Sequence, residues 1–278
     1  MQRRGRYALG YETNNYSRAL AGYFSEPLER CPTLEEQLGA AADCGFSHVV
    51  LDRGSIEDYL EDRRSADSLK ALLRDMGLRC LAVADLAIRA DADEVFVAAQ
   101  PLIDIASRIE AQFIQAGVFC PLDEAAPVLQ ALESLLTGSP LRVALEFLPF
   151  SPLDSLSTAR KLIQEYSLSR TLILLDNWHF FHGPDTWQAL LDTSPQELAY
   201  IQFSDHDTFR SDDILRETVN HRLLPGEGSL ELDLFCECVK HTGFQGVVSV
   251  EVLSNTTRHW PPRRFAEAEY RAASPFWN

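Results

Sequence analysis

Asp176 ends an apolar run, Leu172-Ile-Leu-Leu, and His179 follows three residues later. A buried strand that delivers a carboxylate and an imidazole to its end is suited to binding a cation or moving a proton. The pattern recurs: Glu146 closes Val143-Ala-Leu, Gln202 closes Tyr200-Ile, and Glu251 closes Val248-Ser-Val. Taken singly, each acid also fits a structural salt bridge, and Asp176 before Asn177 also fits a helix cap. Three carboxylates converging on one mouth are harder to explain that way, because they cannot all ionise without a cation among them. Alternation along the strand of Tyr200 turns Gln202 and Ser204 to one face, Ile201 and Phe203 to the other. The Gln202 amide oxygen is then a fourth ligand. A Glu, Asp, Gln, Glu set offers only oxygen, which suits Mg²⁺ or Mn²⁺, whereas His206 in place of Gln202 would favour Zn²⁺ or Co²⁺.

Such convergence needs parallel strands side by side. Short apolar runs alternate with helix-patterned segments roughly every 30 residues, the length of a βα unit. Strands are expected at 7–11, 47–52, 79–86, 112–118, 141–147, 171–176, 198–204 and 246–253. Thr33 and Glu36 form a capping box for a first helix that Gly45 ends. Further helices are expected over about 56–76, over 91–111 with a kink or break at Pro101, and over 122–136. Others begin near 156, 185, 230 and 263. Strict alternation predicts one α/β domain over residues 1–278, a (β/α)8 TIM barrel with its site at the C-terminal face of the strands. Near-continuous apolar strands are what a parallel sheet buried on both faces requires. The doubly wound alternative lacks a Gly-x-Gly-x-x-Gly turn after its first strand. Asp205 to Ser229 reads as a long irregular loop at the functional face.

The net charge of −16 argues against a polyanionic partner, since nucleic-acid binding rests on Lys and Arg neutralising phosphates. A small-molecule substrate is expected instead. No apolar run approaches a membrane span, and the basic start Met-Gln-Arg-Arg-Gly-Arg is followed by no signal-like apolar stretch. Six scattered cysteines read as buried reduced thiols of a cytoplasmic protein.

Glu146, Asp176-x-x-His179, Gln202-x-x-Asp205, Leu224-Pro-Gly-Glu-Gly228 and Gly246-Val-Val-Ser-Val-Glu251 together resemble the xylose isomerase-like TIM-barrel superfamily of sugar isomerases and epimerases. The likeness covers nearly the whole chain, with its specific motifs in the second half. It implies one divalent ion, Mn²⁺ or Mg²⁺ ahead of Co²⁺ or Zn²⁺, held by Glu146, Asp176, Gln202 and Glu251. Tagatose-epimerase-like members carry His where this chain has Gln202; hydroxypyruvate isomerases and some 3-dehydroshikimate dehydratases carry Gln.

The implied activity is isomerisation or epimerisation of a keto sugar or related polyol derivative through a metal-stabilised enediolate. Glu146 and Glu251 would be the proton carriers and His179 an acid, base or hydrogen-bond donor. Arg222 and His206 join His179 as substrate contacts. The alternative is a dehydratase of the same barrel, like those of 3-dehydroshikimate or inosose. An apurinic endonuclease would need histidines where Asp52 and Asp85 end the second and third strands. A barrel without catalysis is also allowed. Oligomerisation is left open.

Overall fold

The computed structural model describes residues 7–18, 20–61 and 64–278; the basic start, residues 1–6, lies outside them. Eight parallel strands close into one barrel in sequence order. They are β1 (Ala8–Glu12), β2 (His48–Asp52), β3 (Arg79–Ile88), β4 (Phe113–Val118), β5 (Arg142–Glu146), β6 (Thr171–Asp176), β7 (Leu198–Phe203) and β8 (Val247–Val250). The helices are α1 (Leu34–Cys44), α2 (Arg53–Glu61), α3 (Ala66–Asp75), α4 (Ala92–Arg108), α5 (Leu122–Leu135) and α6 (Leu156–Glu165). They continue with α7 (Asn177–His182), α8 (Trp187–Leu191), α9 (Ile214–Asn220), α10 (Leu232–His241) and α11 (Pro262–Trp277). The expected TIM barrel is therefore present, and each expected strand falls within a few residues of its place.

Strand alternation sorts the apolar residues into two cores. Val143, Leu145, Ile173, Leu175, Ile201, Phe203, Val248 and Val250 face outward and pack under the helices. Ala144, Leu174, Tyr200 and Val247 face inward with Val50, Ala82, Ala84 and Phe113 and fill the barrel. Two residues further along each strand, this inward row reaches the C-terminal mouth. There it becomes Glu146, Asp176, Gln202 and Ser249, followed by Glu251. Register aligns the rims: Asp176 lies beside Gln202, Gln202 beside Ser249, and Ser249 beside Gly10.

Three elements differ from expectation. The segment over 56–76 is two helices, because Ser65 starts a fresh capping box with Ser68 and begins α3 anew. Helix α4 runs unbroken through Pro101, which stands on its exposed face, where the backbone group left without a partner faces water. The stretch after β7 is irregular only in part. It holds α9, capped by Asp213, and two bridges, Asp205 with Leu223 and His221 with Ser254. The capping box of Thr33 and Glu36 and the left-handed Gly45 are as expected. All six cysteines are free, and among the described residues no helix is long and apolar enough to cross a membrane.

Candidate active site and metal centre

Glu146 reaches the mouth at the end of β5 and is held from two sides. Gln115 Nε2 donates to its Oε2 at 2.9 Å, and His179 Nε2 stands 3.3 Å from its Oε1. The Gln115 amide cannot turn over, since its Oε1 accepts from Tyr200 Oη at 2.8 Å. Tyr200, buried in the barrel, is kept a donor because burial raises its phenol. A line of side chains from β7 through β4 thus leaves one Glu146 oxygen directed at the imidazole.

Asp176 does two jobs. Its Oδ1 accepts from Trp178 N at 2.7 Å and so caps α7, as the Asp-Asn pair suggests. The cap leaves Oδ2 free, 3.3 Å from His179 Nε2 and 2.8 Å from Arg222 Nη1. Burial works against the charge on Asp176, but Arg222 and His179 outweigh it and hold the carboxyl below the ordinary aspartate value. Helix α7 is fixed to β7 by Asn177, whose side chain pairs with the Ser204 backbone in both directions at 2.8 Å. Glu146, Asp176 and His179 consequently offer three ligand atoms within 4.8 Å of one another.

Arg222 is buried and fully engaged. Thr218 accepts from Nε and Nη2 at 2.8 to 3.1 Å, and Nη1 lies 2.8 Å from both Asp176 Oδ2 and Glu251 Oε2. The indole of Trp178 lies under it at 5.4 Å, so Trp178 is packing behind the site rather than a pocket wall. Expected as a substrate contact, Arg222 stands instead as the internal counter-ion of two candidate metal ligands.

Gln202 Nε2 donates to Glu251 Oε1 at 3.0 Å and to both oxygens of Glu12 at 3.1 Å. Asn14 Nδ2 donates to Glu251 Oε1 at 2.5 Å. Burial and then Glu251 raise Glu12 well above the usual glutamate value. Burial, opposed by Arg222 and reinforced by Asp176 and Glu146, pushes Glu251 up to about 7. These carboxyls are short of positive charge.

Gln202 Oε1 is buried without a hydrogen-bond partner, and Asp176 Oδ2 and Glu251 Oε2 have a single nitrogen of Arg222 to share between them. Buried oxygens left so are costly, and a divalent ion would satisfy them. The donor set fits such an ion. The structure adds His179 to Glu146 and Asp176, so the set includes an imidazole as well as oxygen, which accommodates Zn²⁺ or Co²⁺ as readily as Mn²⁺.

His206, expected at the substrate, is fully buried, with Nε2 bound to Glu217 Oε1 at 2.9 Å. It packs among Trp178, His182 and Phe209 and braces α9. Asp205 is likewise structural. Its carboxylate accepts from the backbone of His206, Gly226, Gly228 and Leu230. Gly228 is required there, since a Cβ would collide with Asp205 Oδ1 and with the His206 carbonyl oxygen. Gly228→Ala is expected to cost about 1–3 kcal/mol in a denaturant melt and to loosen the turn that carries Arg222.

Two mouth residues were not assigned roles by the sequence. Glu12 obeys the same rule as the others, an acid closing a short apolar strand, but it opens the polar run Glu12-Thr-Asn-Asn, just past the strand expected at 7–11. Asp85 lies within a register shift of β3, between Val83 and Leu86. Water reaches its carboxyl, yet protein surrounds it closely enough that desolvation, then Glu146, Asp52 and Glu251, push it up to about 7. Stability carried by a protonated Asp85 is complete below about pH 4 and is lost as pH rises through about 7. Asp85→Asn should therefore raise the melting temperature of the metal-free protein at pH 8 and leave it unchanged at pH 4. An equal shift at both pH values would show that charge is not the cause. Asp52, by contrast, is satisfied by Thr13, Ser17 and the Ser55 amide.

Inosose isomerase from Bacillus subtilis (strain 168) is 24% identical over 127 residues, 45% of each chain. Its namesake from Bacillus velezensis is 24% identical over 129 residues, 46% of this chain and 45% of that one. The aligned part thus spans under half the length of these curated relatives. Among solved structures, the IolI protein with a zinc atom bound superposes with a TM-score of 0.84 over 97% of both chains at 17% identity. The 3-keto-D-glucoside 4-epimerase YcjR from E. coli does so with a TM-score of 0.68, over 95% of this chain and 97% of that one, also at 17% identity. At such identities the superpositions speak to the fold. Sequence over residues 38–274 matches the xylose isomerase-like TIM barrel family, and the chain belongs to it.

Proposed function

We propose that this protein is a divalent-metal-dependent isomerase or epimerase acting on a keto sugar or related polyol ketone. The observation that supports it most is the mouth itself: Glu146, Asp176 and His179 within 4.8 Å, next to the unpaired Gln202 Oε1 and a Glu251 carboxylate that shares Arg222 with Asp176. Glu146, Asp176, Gln202 and Glu251 would hold the ion, with His179 either completing the set or standing beside it. A bound divalent ion polarises a carbonyl and makes the neighbouring C–H more acidic.

The protein's own groups do the rest. Glu251 accepts a proton from carbon; its high proton affinity suits a base working near neutral pH. Glu146, locked by Gln115, returns a proton from the other side of Asp176. His179 donates a hydrogen bond to the oxygen that gains charge. Arg222 keeps Asp176 and Glu251 in place between turnovers. The relatives named as inosose isomerases fit this reading.

The test is a screen for solvent-deuterium incorporation into ketoses, inososes and dehydroshikimate with Mn²⁺ present. Exchange into a ketose or inosose, without an ultraviolet chromophore, is the expected result; a conjugated product would make the enzyme a dehydratase. Absence of exchange with every compound would end the proposal. Gln202→His is expected to shift metal preference toward ions that accept nitrogen, read as relative Zn²⁺ over Mg²⁺ affinity. An unchanged profile would remove Gln202 from the ligand set.

A further inference from the structure

The amide of Gln202 has two ends, and only the nitrogen is held. Nε2 donates to Glu251 Oε1 at 3.0 Å and to both Glu12 oxygens at 3.1 Å, while Oε1 is buried without a partner. A side-chain amide carries its acceptor on one end and its donors on the other. Turned over, this one would set Oε1 against the same three carboxyl oxygens, an acceptor facing acceptors. Burial and Glu251 favour a proton on Glu12, and that proton has the Glu251 carboxylate to bond to. The carboxyl then still keeps an oxygen that accepts from Nε2, so the hold on Gln202 exists in either state of Glu12.

Glu12 is available for this task. It is buried at the end of β1, and Arg222 spends its contacts on Asp176, Glu251 and Thr218 instead. Asn14 Nδ2 reaches Glu12 only at 3.4 Å, longer than an ordinary N–H···O bond. Strand β8 separates β1 from β7, but at the level of Gln202 it carries Ser249, which lies beside Gly10 of β1. Both are small, and a Cβ on Gly10 would already stand 3.1 Å from Ser249 Oγ. Glu12, two residues further along β1, reaches over this low row to Gln202. Gln115 holds Glu146 from β4 in a comparable way.

We infer that Glu12 is a positioning residue: it takes the nitrogen of Gln202, directs Oε1 toward the divalent ion, and is not itself a ligand. Groups that orient a ligand from behind in this way tune how tightly a metal is held. The inference rests on the proposed function for the role of Gln202 as a ligand. An amide needs such a partner more than a carboxylate does, because only one of its ends can bind a cation.

The experiment measures Mn²⁺ affinity by calorimetry, with a thermal melt of each metal-free protein to establish that it is folded. Glu12→Met removes every acceptor at similar bulk and is expected to weaken Mn²⁺ binding about 10–100-fold. Glu12→Ala, which also lacks an acceptor, takes its place if Glu12→Met does not fold. Glu12→Gln removes the charge but keeps an oxygen for Nε2, and is expected to lose about threefold at most. Combined with Gln202→Ala, Glu12→Met should change the affinity by no more than about twofold, since the group it positions is gone. Equal losses in Glu12→Gln and Glu12→Met would mean that Glu12 acts as a charge or a ligand, and overturn the inference. A Glu12→Met loss that persists beside Gln202→Ala overturns it too, as does wild-type affinity in folded Glu12→Met. These results leave the proposed function standing when Gln202→Ala alone weakens binding. Wild-type affinity in Gln202→Ala removes Gln202 from the ligand set and takes the inference with it.

Discussion

Glu251→Gln is expected to lower turnover by roughly a thousandfold or more while leaving the barrel folded. The fold survives because the amide keeps the shape and an oxygen for the two donors now on Oε1, Asn14 and Gln202. Some stability is lost in the metal-free state, since the amide nitrogen replaces the oxygen that stands 2.8 Å from Arg222 Nη1. Turnover suffers because one substitution removes both a proton acceptor and an anionic ligand. Deuterium exchange paired with a thermal melt reads the two effects apart. Near-wild-type exchange in a folded variant would take Glu251 out of the chemistry.

Arg222→Met should instead act first on stability. It removes the cation standing 2.8 Å from both Asp176 and Glu251, leaving two buried carboxylates unpaired. Breaking such a pair from one side costs about 3–5 kcal/mol, because the orphaned charges stay buried. The metal-free variant is therefore expected to melt many degrees lower at pH 7.5. A divalent ion supplies the missing charge to the same oxygens, so Mn²⁺ should stabilise the variant by more than it stabilises the wild type. Equal metal-induced shifts in the two proteins would mean that Arg222 and the ion do not share those carboxylates.

Much of the site is legible in the amino-acid sequence, for physical reasons that differ between elements. The rim residues can be read because alternation on a strand has no freedom: once Leu174 and Tyr200 face the barrel interior, Asp176 and Gln202 must as well. Glu12 and Asp85 obey the same grammar but are harder to see. One opens the polar run Glu12-Thr-Asn-Asn, and the other lies within a register shift that breaks the alternation that exposes the rest. The post-β7 segment misleads, since α9 is brief and its anchoring contacts come from distant residues. Its His206 looks available beside Asp205, yet Glu217, eleven positions on, claims it.

The sequence by itself determined the barrel, the face that carries the site and the carboxylates at its mouth. Local periodicity and the cost of burying unpaired charge leave few other arrangements. Only the tertiary structure decided which of those groups stand together. It brought His179 between Glu146 and Asp176 by turning α7 on the Asp176 cap. It also spent Arg222 inside the site, between Asp176 and Glu251. These pairings join residues tens of positions apart through loop geometry, and no spacing along the chain encodes them.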